Sequence, residues 1–456
     1  MPSNHSSVCT HQSICFDCSR HAAQAGFERP GLEERVSAQK EENESTQSLS
    51  EDNPEAFPAP LVLPGDEIAE DPEYPSQSFQ EWLDKEDRNP VNTQRKIVYV
   101  APPPQIDDSV EFLRSLVQPQ QHDKGPRAQS PHHEDVHGYV SAFYHGLPVK
   151  LLPQSTLRLV SWDSGRKPSK TAPSTKPARP RYVGLQTTQE CVRIRLRPSK
   201  DGVFQGQLNL NDLLDAAISM LPRDAYALLL LVHHDIYEDE NDDFSCGRAY
   251  GGSRVAVVSS ARYNPGLDEL ESVERLHAWP ASHCGSYITR FCDAAEEDLR
   301  GNHSIKSKKP RTKKSKLPAV SPGSGAGPMD AAVSVHRSLP TENMTAVSLS
   351  ALWLGRFCRT ASHELGHCFG IDHCMYYACS MQGTASVGED AAQPPYLCPV
   401  DLAKVLHATS GDVVDRYRAL LAFCERPGNK KAHIFAPFGA WIRARVKQLN
   451  VNNDDS

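Results

Sequence analysis

A sheet domain of the α/β or α+β class is predicted by three features of this 456-residue chain. Residues 225–232 (AYALLLLV) form an apolar run of buried-strand length. Residues 208–221 just before them carry apolar side chains at helical spacing, and residues 253–260 (SRVAVVSS) form a further strand after them. A strand at 191–196 completes a strand, helix, strand, strand order, which places sheet and helices in one packed unit.

In chain order, residues 25–95 are rich in Glu, Ser, Gln, Asn and Pro with little periodicity, and the composition predicts disorder. Residues 96–101 (KIVYVA) are the first strand, closed by three prolines. A helix-like stretch follows at 110–117, then a helix-to-strand passage within 139–152. Residues 166–181 are a basic, proline-rich insertion. From near residue 183 the core runs continuously, with Asn209 or Asn211 as the N-cap of the 208–221 helix and Pro222 closing it. An acidic loop (DIYEDENDD, 235–243) follows the central strand. Residues 302–327 are a second insertion, basic and then rich in Gly, Ser and Pro. From Ser348 the spacing turns helical through Leu349, Leu352, Trp353 and Phe357 to Gly370, and helices recur near 402–407, 413–424 and 438–449. The predicted domains are a small Cys/His segment (1–24), a disordered stretch (25–95), an N-terminal part of the main domain (96–182) and its core (183–456).

Composition limits the function. Only 39% of residues are hydrophobic and 35 are proline, so folded mass is less than the length suggests. With 49 basic against 57 acidic residues the net charge is −8, which argues against nucleic acid as a partner. No run reaches the roughly 20 apolar residues of a membrane span, so no membrane partner is expected. Residues 1–20 lack the basic, apolar, small-residue order of a signal peptide. Thirteen cysteines, an odd number, then favour reduced thiols and metal ligands in an intracellular setting, cytoplasmic or nuclear.

Residues 363–373 read HELGHCFGIDH. On a helix His363 and His367 share one face, one turn apart, and can reach one cation. Glu364 is rotated away from them and can reach a water beside the ion without ligating it. Gly370 permits the left-handed turn that ends the helix, letting His373 return as a third ligand. Three protein nitrogens leave the fourth position of a catalytic zinc open. The combination arises by chance in roughly one chain in 10⁴ at ordinary residue frequencies.

The sequence continues with Cys374, Cys379 and Met381, and later with Cys398 and Asp401. From His363 through Met381, and more loosely to Lys404, the chain resembles the archaemetzincins, a family of metzincin zinc metallopeptidases. The resemblance implies a metzincin-like α+β catalytic domain. A twisted mixed sheet backed by helices would stand beside a smaller C-terminal helical subdomain, with an edge strand offering its backbone to an extended substrate. It makes His363, His367 and His373 the catalytic zinc ligands, Glu364 the general base and Met381 the methionine of the Met-turn. It also implies a structural zinc on Cys374, Cys379 and Cys398. The family's last cysteine is Asp401 here, which either replaces a thiolate or caps the helix starting at Leu402. Two zinc ions are therefore expected in the core.

Cys9, Cys15, Cys18 and His21 lie close enough in sequence to hold a third Zn²⁺. The predicted function is hydrolysis of a peptide or protein substrate, in the manner of an aminopeptidase, by zinc-bound water with Glu364 as base. The alternative is a non-catalytic zinc scaffold or nuclear interaction protein, suggested by the basic runs.

Overall fold

The computed structural model describes every residue except 1–8, 10, 12, 42–51, 121–124, 163–179, 302–326 and 455–456. The two basic insertions therefore lie almost wholly outside the described residues. The described residues form eleven strands: β1 Ile97–Ala101, β2 Gln105–Ile106, β3 Val149–Leu151, β4 Arg158–Ser161, β5 Tyr182–Gln186, β6 Cys191–Arg197, β7 Gln207–Asn209, β8 Ala225–Val232, β9 Ile236–Tyr237, β10 Gly247–Tyr250 and β11 Val255–Ser259. They form a mixed five-stranded sheet of order β10-β11-β8-β1-β3 and a six-stranded sheet of order β2-β4-β5-β6-β7-β9.

The five-stranded sheet positions the site. Its inner strands β1, β8 and β11 run parallel, and only the β10–β11 pair is antiparallel. Strands covered on both faces read as unbroken apolar runs, which is why 225–232 shows no alternation. Val98, Ala227, Leu229, Leu231 and Val258 face one core, which includes Leu365 and Met381. Tyr99, Leu228, Leu230 and Val257 face a second, shared with the helix Leu210–Ser219. Asn209 caps that helix, accepting a hydrogen bond from Asp212 N.

The long helix Ala346–Cys368 lies on the first face, in contact with β8, β10 and β11. Thr345 caps its start, and its hydrophobic residues are buried almost without interruption to Cys368. Helices Val413–Cys424 and Phe435–Asp454 pack together, the second also against Pro328–Arg337. Trp441, Phe438 and Phe423 share one hydrophobic core with the long helix. No helix among the described residues is long and apolar enough to cross a membrane.

Two sequence expectations need correction. The core does not begin near residue 183, because β1 sits between β3 and β8 in the sheet. Nor are residues 25–95 disordered where they are described. Phe57, Leu63, Phe79 and Trp82 are buried, and Ser78 and Glu81 form a reciprocal capping box on the helix Phe79–Asp84. Trp82 Nε1 donates to Phe369 O at 2.8 Å, and Ala378 N to Pro58 O at 2.9 Å. The stretch is ordered by a few large side chains docking on distant parts of the chain. Average composition dilutes such anchors, and local periodicity does not register them.

Beside β9, burial pushes the His234 imidazole down to about 4, and its Nε2 hydrogen-bonds Leu113 O at 3.2 Å. The unfolded imidazole takes up a proton near pH 6.5 that the folded one refuses until near pH 4. Stability is thus lost as pH falls through that window, by about 3 kcal/mol from this residue at the acid end. Urea unfolding at a series of pH values should show His234→Gln, whose amide can still donate to Leu113, losing less stability than wild type between pH 6.5 and 4. Parallel losses in the two proteins would refute the assignment.

Candidate active site

A cleft of about 880 Å³ opens between the last two turns of the long helix, strand β10, residues 85–89 and the loop 380–393. His363, His367 and Glu364 project into it from the helix, and His373 returns from the far side. Gly370 makes that return possible. Its φ of +78° is a conformation that a side chain would strain.

The three imidazoles converge. His363 Nε2 and His367 Nε2 are 3.1 Å apart, and the His373 ring centroid lies 5.3 and 5.1 Å from theirs. One donor nitrogen from each falls within 4.8 Å of the others. Two imidazoles on one zinc at 2.0–2.1 Å in tetrahedral geometry stand about 3.3 Å apart, so the spacing suits that ion. Each far nitrogen is occupied. His363 Nδ1 meets Ser380 O at 2.8 Å, His367 Nδ1 meets Ile371 O at 2.7 Å and His373 Nδ1 meets Glu67 Oε1 at 2.9 Å. A proton held on Nδ1 leaves the Nε2 lone pair for a cation.

Electrostatics agree with that use. Burial holds His363 well below its ordinary value and His367 at about 4, so both stay neutral. Burial alone would lower His373 too, but the Glu67 carboxylate more than offsets it and the net shift is upward. Its hydrogen bond with His373 in turn holds Glu67 below the usual carboxylate range. Burial raises the Glu364 carboxyl to about 7, the value suited to exchanging protons near neutrality.

Beneath the helix, Met381 is fully buried and its thioether occupies the space a Cβ on Gly366 would take. Behind it, Cys374, Cys379, Cys398 and Asp401 bring four donor atoms within 4.8 Å of one another, all buried. Cys374 Sγ and Cys398 Sγ are 3.5 Å apart, and Asp401 Oδ2 stands 3.3 and 3.4 Å from Cys379 Sγ and Cys398 Sγ. Thiolates sharing a zinc at about 2.3 Å would be about 3.8 Å apart, so this set also fits. Asp401 is not a cap. Cys398 occupies the N-cap of the helix Pro399–Thr409, its sulfur accepting from Asp401 N, while the carboxylate turns inward to the thiols and to Lys404 Nζ at 3.0 Å.

Cys9, Cys15, Cys18 and His21 are not brought to one point. Cys15 Sγ donates to Asp17 O, His21 Nδ1 meets Gln24 Oε1, and no donor set among the described residues contains Cys15, Cys18 or His21. The acidic loop contributes Glu238 to the cleft wall, paired with Arg248, while Asp235 is buried against Arg262. Sequence reasoning missed Glu67. It lies about 300 residues from its histidine, in a stretch whose composition reads as disordered, with no local signal to mark it.

No family model matches the chain. Human archaemetzincin-2 is 22% identical over 372 residues, covering 81% of this chain and 74% of that protein. Among solved structures, an archaemetzincin from Methanopyrus kandleri aligns at 16% identity with a TM-score of 0.30, covering 71% of this chain and 99% of that one. A zinc-dependent peptidase from Methanocorpusculum labreanum aligns at 16% identity with a TM-score of 0.27, covering 68% and 99%. Similarity along most of the chain to the curated relative, together with the residues 363–381, carries the conclusion. Both support an archaemetzincin-family assignment for this chain and, with it, a zinc metallopeptidase.

Proposed function

We propose that this chain hydrolyses peptide bonds, as an aminopeptidase, with His363, His367 and His373 as the ligands of a catalytic zinc and Glu364 as the general base. The observation that supports it best is the convergence of three imidazoles whose far nitrogens are already occupied, beside a buried carboxyl. Bound there, zinc supplies a Lewis acid that polarises a carbonyl and acidifies water.

The remaining work falls to the chain's own residues. Glu364, raised toward neutrality by burial, takes a proton from the attacking water and returns it to the leaving amine. Strand β10, at the sheet edge and lining the cleft, can pair with an extended substrate by β-augmentation. Met381 and Gly366 set the floor. Cys374, Cys379, Cys398 and Asp401 hold a second zinc that fixes the path of the loop after His373. Asp401 stands as the fourth ligand, its charge also balanced by the buried Lys404.

Glu364→Ala should keep zinc and fold yet lower peptide hydrolysis by at least about 10²-fold, as loss of a general base does. Wild-type turnover by a pure variant would sink the mechanism. Glu67→Gln should weaken zinc binding at the histidine site by about 10–100-fold, the usual cost of losing a partner behind a metal-bound imidazole. A chelator competition giving wild-type affinity would show that Glu67 does not position His373. For the second zinc, Asp401→Cys should retain the ion and resist chelators better than wild type, and Asp401→Ala should release it more easily. Metal analysis unchanged by Asp401→Ala would remove the aspartate from the ligand set.

A further inference from the structure

Outside the active-site cleft, the N-terminal strap crosses the loop around residues 274–287. Ile14 forms an isolated antiparallel bridge with Cys284, Cys15 N donates to His283 O at 2.7 Å, and Gly285 N donates to Ser13 O at 2.8 Å. At the start of the strap, one donor atom each from Cys9, His11 and His277 lies within 4.8 Å of the others. The Cys284 thiol stands 3.2 Å from Cys9 Sγ. None of these residues belongs to either cluster described above.

Two features set this group apart from ordinary packing. His11 and His277 are 7% and 2% exposed, and the Nε2 atom of each is buried without a hydrogen-bond partner. A buried polar atom left unpaired costs about 1–3 kcal/mol, and two in one place need an explanation. The second feature is Glu274, whose Oε1 is 2.7 Å from His277 Nδ1. A carboxylate on the far nitrogen holds the proton there and turns the Nε2 lone pair toward the thiol. This is the arrangement that orients metal-bound histidines.

We infer that Cys9, His11 and His277 bind a zinc ion that clips the N-terminal strap to the 274–287 loop, with the Cys284 thiol adjacent to Cys9. Mixed thiolate and imidazole donors select zinc over the harder calcium and magnesium. The thiolate of Cys9 supplies one negative charge, and the Glu274 carboxylate behind His277 also pairs with Arg290. The role is structural, since the cluster lies outside the cleft. It also re-partners Cys9, whose sequence neighbours Cys15, Cys18 and His21 had suggested a local site. The inference does not depend on the proposed catalytic mechanism.

The test uses the full, reduced chain and counts zinc per molecule by native mass spectrometry. Cys9→Ser and His277→Gln should each bind one zinc fewer than wild type, and the double variant also one fewer, while peptidase activity remains. The difference is the readout, so the number of ions in the other two sites does not affect it. In wild type, Cys9 should be alkylated slowly as isolated and rapidly once a chelator has removed zinc. This second measurement reads the site in an unaltered protein should a variant fold poorly. An unchanged zinc count in Cys9→Ser would overturn the proposal. So would equal alkylation rates, or recovery of Cys9 and Cys284 joined as a disulfide in the native chain.

Discussion

Three imidazoles can point their lone pairs at one spot only if something holds the other side of each ring. Here the holders are the Ser380 carbonyl, the Ile371 carbonyl and the Glu67 carboxylate. Two are backbone atoms, so the site depends on the path of the chain between residues 370 and 381 more than on any side chain there. Everything around that loop serves its path. Gly370 turns it, Met381 packs it under the helix and Trp82 binds the carbonyl at its start. The buried thiols grip it from behind. Misplacing one carbonyl would let a ring rotate and lose its lone pair from the cluster, since first-ligand geometry is set by such outer contacts.

The same packing creates the electrostatics. The helix that carries His363, Glu364 and His367 is enclosed on the sheet side and below, opening only at the cleft. Enclosure keeps the histidines neutral and the carboxyl half-protonated near neutrality, because charged forms are penalised away from water. Lys404 shows the converse. Its ammonium is buried beside Asp401 and is held by Gln77 through both backbone and side-chain oxygens. A buried charge persists only with such full satisfaction, and Gln77 comes from the N-terminal segment.

Much of this was legible in the sequence, and the reasons differ from place to place. Strand β8 was readable because a strand buried on both faces has no need of polar residues. The grouping of His363, His367 and His373 was readable because helical spacing and one glycine dictate it. Elements with short or amphipathic patterns, such as β4 and β5, were passed over, since a few alternating residues next to a proline-rich insertion give a weak signal. The N-terminal segment was misread for a physical reason. Its order comes from single large side chains and single hydrogen bonds to residues hundreds of positions away. Glu67 and Gln77 leave no trace in local pattern, and His277 and Cys284 lie far along the chain from Cys9.

The separation between Glu67 and His373 also sets an order of events during synthesis. At 5–20 residues per second, about 300 residues are added between the two, so the N-terminal segment spends roughly 15–60 s outside the ribosome before its partners exist. Its polar composition favours an open chain in that interval. The composition that reads as disorder is suited to this wait. Glu67 is thus waiting before His373 is made, and the histidine cluster can close only once residues 363–380 have emerged.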